Sequence, residues 1–116
     1  MGDDLVNELF RLNDELTSSI KLLRKHGEEL ARAESEYKLK LRLEALKLRE
    51  EKNMPVTLIN QIIYGVPEVN QLRLKRDIAE CTYNTNQEHI NCTKLKIRIL
   101  EAQISREYSV AGKNGF

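Results

Sequence analysis

Tryptophan is missing from this chain, aromatic residues make up only 5% of it, and it holds just five glycines and two prolines. A chain so poor in turn residues suits long helices or a coiled coil better than a compact mixed fold. Charge of one sign is lacking too: 19 basic residues stand against 18 acidic ones, for a net charge of +1. That removes a bulk electrostatic drive toward nucleic acid and leaves only local patches. No apolar run approaches the roughly 20 residues of a membrane span. The first residues are acidic, with Asp3, Asp4, Glu8, Asp14 and Glu15 against Arg11, so a secretory leader is not expected. The start MGDDLV has valine in sixth place, which fails the myristoylation pattern.

Cysteine is scarce as well. Cys81 and Cys92 are the only two. On one helix they stand roughly 16 Å apart along the axis, too far for a disulfide. They are expected to be small buried thiols in a reducing cytoplasm. Metal chemistry finds little support. His26 and His89 are single and far apart in sequence, and two cysteines on one helix give no four-ligand zinc spacing. Glu28, Glu29, Glu34 and Glu36 would hold a metal only with help from a partner chain. No glycine-rich phosphate loop and no nucleophile–base constellation is present, so neither a cofactor nor an enzymatic activity is expected.

What the chain does have is heptad spacing. Leu9, Leu16, Leu23, Leu30, Tyr37 and Glu44 occupy a positions of a first helix over about residues 3–52. The d positions turn polar or small at Ser19, His26, Ala33 and Lys40, and Gly27 costs about 1 kcal/mol against alanine. Leu39, Leu41 and Leu43 alternate as a strand would, but Lys, Arg, Glu and Ala around them favour helix. Next comes NMPVTLINQIIYGVP. Asn53 reads as a cap, Pro55 as part of a first turn, 55–64 as a short helix, and Gly65 as a left-handed stop. Pro67 restarts the chain into a helix over about 67–108, and 109–116 reads as a flexible tail. One seam of that last helix runs through Val69, Leu72, Ala79, Tyr83, Ile90, Ile97, Leu100 and Ile104. A second, on nearly the opposite face, runs through Leu74, Ile78, Cys81, Thr85, Glu88, Cys92, Leu95, Ile99 and Ala102.

The expected fold is all-α: a single-domain antiparallel two-helix hairpin, coiled-coil-like, with a short apical helix. If the reversal is centred near residue 60, contacting residues have numbers adding up to about 120. Leu16 then meets Ile104, Leu23 meets Ile97, Tyr37 meets Tyr83, and Glu44 pairs with Arg76. One hairpin uses one seam only. The second seam and Leu39, Leu43 and Leu46 are then left bare, with roughly half of the connector's apolar residues. This points to a homo-oligomeric helical bundle, to a protein partner, or to a monomer whose connector helix folds back over the extra leucines. Candidate interface residues are Leu58, Ile59, Ile62, Ile63, Tyr64, Leu74, Ile78, Leu95 and Ile99. Residues 55–77 also have a helix-turn-helix outline; Arg73 and Lys75 within it, with Lys94, Lys96 and Arg98 on basic helix faces, are the nucleic-acid contacts of that reading. Acidic residues interleave those cations, as on a solvated face.

The phrases MPVTLINQIIYGVPEV, LRLKRDIAE and KLKIRILEAQISREY resemble small helical proteins encoded by temperate phages and prophages of Gram-positive bacteria. The resemblance spans most of residues 28–108. It implies a bacterial cytoplasmic setting during infection and an accessory role, in replication or recombination or in blocking a host defence. It carries over no functional residues. The expected function is therefore non-enzymatic binding of a host or phage protein, with nucleic-acid binding as the alternative.

Overall fold

The computed structural model describes residues 2–114, with side-chain surroundings for residues 3–110. They form α1 (Gly2–Lys52), α2 (Val56–Ile62), a single 3-10 turn η1 (Ile63–Gly65) and α3 (Pro67–Asn114), with no strand among the described residues. The chain divides into two compact units. A terminal unit joins the start of α1, to Arg24, with α3 from Thr85 onward, and a connector unit covers Lys25–Asn84.

The heptad frame explains which face of each helix is covered. On α1 the a positions from Leu9 to Glu44 and the d positions from Leu12 to Lys40 are all buried or half-buried. On α3 the seam from Val69 to Ile104 is covered in the same way, and it takes in Arg76, Asn86 and Thr93 at its polar steps.

In the terminal unit α1 and α3 run antiparallel. Leu12 packs with Ile97 and Leu100, and Leu5, Leu9, Leu16 and Ile104 close around them. A polar layer follows. Ser19 and Thr93 are buried. The Asn86 amide donates to the Ser19 carbonyl at 3.0 Å, and the Thr93 hydroxyl donates to the His89 carbonyl at 2.9 Å. The Thr93 hydroxyl thus has a backbone partner, which removes most of the cost of burying it.

The connector unit is built differently. Its buried apolar residues are Ala33, Tyr37, Ile59, Ile63 and Val69. The Tyr83 ring lies so close to α1 that a Cβ added at Gly27 would stand 3.3 Å from it. Gly27 is therefore a contact point for an aromatic ring as well as a weak helix former. The Arg76 guanidinium sits over the Tyr37 ring, 4.8 Å from its centroid, and Lys75 meets Glu36 at 3.2 Å.

These contacts correct the expected register. Tyr37 faces Arg76, one heptad before Tyr83, and Tyr83 faces Gly27. In the terminal unit Ile97 packs on Leu12 and not on Leu23. The pairing of Glu44 with Arg76 is not formed: Glu44 takes Lys40 at 2.9 Å, and Arg76 takes Asp77 at 2.8 Å. The reason lies in the connector. With Tyr37 opposite Arg76, α3 starts across from a point well short of the end of α1. The last turns of α1 are half-buried at Leu41, Ala45 and Leu48. Ile59 and Ile63, four residues apart, are the buried edge of α2 and η1.

The reversal itself also differs from expectation. No glycine among the described residues has positive φ, so Gly65 is not a left-handed stop; the left-handed residue is Asn53, just after α1, at φ 48°. Asparagine tolerates this conformation better than other residues with a Cβ. The Met54 amide then returns to the Leu48 carbonyl at 3.4 Å. Pro55 precedes α2 as its N-cap, extended at ψ 147°. Its carbonyl accepts from the Leu58 and Ile59 amides at 3.1 and 3.0 Å. α3 continues past the expected end at 108 to Asn114. No proline stops it there, and Gly112 alone costs only about 1 kcal/mol. The last two residues of the expected tail lie outside the described residues.

Candidate interaction surfaces

Three elements turn apolar side chains to solvent. α2 and η1 expose Val56, Leu58, Ile62 and Tyr64. The connector helix is thus two-faced, with Ile59 and Ile63 inward and the rest outward. Ile59 and Ile63 leave the set of expected interface residues, because each is 4% exposed and belongs to the chain's own core. On α1, Leu39, Leu43 and Leu46 are exposed in the same unit. The third element is the outward seam of α3. Leu74, Ile78 and Ile99 are each 58% exposed and Leu95 is 55% exposed. Cys81 and Cys92 are exposed free thiols and not the buried ones expected. They sit at c and f positions, opposite the covered seam.

Sequence reasoning missed Phe10, Tyr108 and Val110, all strongly exposed. The signal was available: none of the three falls on a heptad seam. Single exposed apolar residues are common on protein surfaces, whereas a periodic stripe of them is not.

The cations assigned to nucleic acid lie at separate places, and several have partners. Arg73 covers the Tyr64 ring at 4.8 Å. Lys75 is held by Glu36. Lys96 acts on the Glu8 carboxyl, which lies below the usual carboxylate range mainly because Arg11 hydrogen-bonds it, at 2.9 Å from Nε. Lys94 and Arg98 are exposed. Gln71, Arg73 and Lys75 do lie on the first turns of α3, as a recognition helix would place them, but the adjacent Arg76 is directed at Tyr37.

Several other titratable groups form ion pairs. Arg11 is raised by Glu8, Lys40 is raised by Glu44, and Glu44 is lowered by Lys40. His89 Nε2 lies 3.1 Å from the Glu15 carboxylate. His26 is half-buried with its Nδ1 covered and without a hydrogen-bond partner among the described residues. No group of three or more His, Cys, Asp or Glu among the described residues is placed to hold a metal. None of the described helices is long and apolar enough to cross a membrane.

No family model matches the chain, and no curated protein or solved structure matches it either.

Proposed function

We propose that this chain is a non-enzymatic, phage-type interaction protein that acts in the bacterial cytoplasm by binding a host or phage protein. Its role is accessory, in replication or recombination or in inhibiting a host defence. The observation that carries this reading is the two-faced connector. Ile59 and Ile63 anchor α2 and η1 to the chain's own core, while Leu58, Ile62 and Tyr64 stay exposed beside them. A rigidly held apolar face loses little conformational freedom on docking, which favours protein binding.

The test is affinity capture from infected host cells with the wild type and with Leu58→Asp/Ile62→Asp. Both positions are already part-exposed, so helicity by circular dichroism should persist. A protein captured by the wild type and lost with the double variant supports the reading. Identical capture by both contradicts it. Nucleic-acid binding predicts instead a salt-dependent retention on DNA or RNA that Arg73→Glu/Lys75→Glu abolishes.

A further inference from the structure

The outward seam of α3 has an internal symmetry that its exposure alone does not explain. Between Leu74 and Ile99 its residues step by four and three, so they form the a and d positions of a second heptad frame. Read from either end, the order of chemistry is the same. A large aliphatic comes first, Leu74 or Ile99; then another, Ile78 or Leu95; then a cysteine, Cys81 or Cys92; then a polar residue, Thr85 or Glu88. All of the aliphatic residues and both thiols are exposed.

We propose that this seam pairs with the same seam of a second copy of the chain, antiparallel, about a two-fold axis between Asn86 and Gln87. A two-fold interface requires a surface that complements itself, and a palindromic stripe meets that requirement. The a positions face d positions of the partner. Leu74 meets the partner's Ile99, Ile78 meets the partner's Leu95, Cys81 meets the partner's Cys92, and Thr85 meets the partner's Glu88. Apolar layers lie at both ends, thiol layers inside them and a polar layer at the axis, where the Thr85 hydroxyl can donate to a carboxylate. The pairing deepens the interaction reading but uses a face apart from the connector, so each can fail alone.

Competing arrangements match less well. A parallel pairing in register sets Glu88 against the partner's Glu88 inside the seam, where like charges are costly. The neighbouring antiparallel register sets Glu88 against the partner's Cys92 and Thr85 against the partner's Leu95. Flanking charges agree with the chosen register on one side, where Asp77 meets the partner's Arg98. Asp77 is already bonded to Arg76 but its side chain remains 51% exposed. On the other side Lys75 meets the partner's Lys96. That repulsion is softened within each copy by Glu36 on Lys75 and by Glu8 near Lys96.

The test combines mass with thiol mapping on the full chain. Light scattering should give twice 13.5 kDa, and Ile78→Asp/Leu95→Asp should weaken the dimer about a hundredfold or more. Treatment with diamide, which takes up the two protons and two electrons released by each thiol pair, should join two chains through Cys81 of one and Cys92 of the other. Cys81→Ser should abolish that link, because Cys92 then faces serine. A monomeric wild type overturns the proposal. A dimer linked Cys81 to Cys81 or Cys92 to Cys92, persistence of the link in Cys81→Ser, or a dimer without a mixed Cys81–Cys92 peptide overturns the antiparallel register.

Discussion

The terminal and connector units are made from the same two helices, yet they hold them together by different means. In the terminal unit aliphatic residues repeat in layers, with Leu12, Ile97 and Leu100 at the centre. Such layers are nearly interchangeable, and a slip of one heptad would still bring leucine to isoleucine. In the connector unit the contacts are particular: a tyrosine ring on Gly27, a guanidinium over Tyr37, and α2 held by Ile59 and Ile63. These fit in one alignment only. Layers of aliphatic residues bury apolar surface in the terminal unit without marking one alignment, while the connector unit's particular contacts mark its own register.

The strongest way to break the comparison is Ile63→Asp. It places an unpaired carboxylate where the side chain is 4% exposed, with an expected loss of about 4 kcal/mol or outright failure of the connector unit to fold. Urea unfolding followed by circular dichroism measures it. Next is Leu12→Ala in the terminal unit, expected to cost about 2–4 kcal/mol through lost burial and a residual cavity. If Leu12→Ala proved the worse of the two, the connector would not be the more exacting region. The third change sharpens the claim about register. Gly27→Val pushes a branched side chain into the Tyr83 ring and should cost about 1–3 kcal/mol. Gly27→Ala should be close to neutral, because about 1 kcal/mol of helix propensity offsets a tight contact. A stabilising Gly27→Val would show that Tyr83 does not pack there.

The smallest effect concerns pH, and it should appear in both units. Glu8 in the terminal unit is held below the usual carboxylate range by Arg11, and Glu44 in the connector unit by Lys40. A carboxyl lowered in the folded chain adds stability above its ordinary pKa, and that contribution fades as pH falls through the lowered value. Lys40, raised by Glu44, keeps its part until pH climbs past the usual lysine range. Glu8 is part-exposed beside Arg11, and Lys40 and Glu44 are half-buried on one helix. Single pairs of this kind are worth little, so melting temperature should drift down only slightly on acidification. A sharp acid transition would point to a different group.

Much of this fold was legible because heptad spacing is a local code. It placed the covered faces of both helices, including the polar d positions Ser19 and His26, and the outward seam of α3. What it could not place was the register. Periodic leucines align equally well a heptad apart, and the deciding contacts, Gly27 with Tyr83 and Tyr37 with Arg76, join residues whose pairing no local pattern announces. The left-handed residue was misassigned for a related reason. Gly65 has the better intrinsic propensity for that conformation, but Asn53 is where α1 must end for α2 to fold back. Exposure of the connector was half legible: its apolar content was plain, while the division into inward Ile59 and Ile63 and outward Leu58, Ile62 and Tyr64 depended on how α2 lies on its unit.

The central claim is that apolar stripes turned away from the covered seams are meant to be covered by another chain. Light scattering on the wild type at micromolar concentration addresses it without any mutation. The account predicts twice 13.5 kDa or a higher multiple of it. A stable, non-aggregating species of 13.5 kDa would contradict it, because Leu74, Ile78, Leu95 and Ile99 would then stay in water with nothing of the chain's own to cover them.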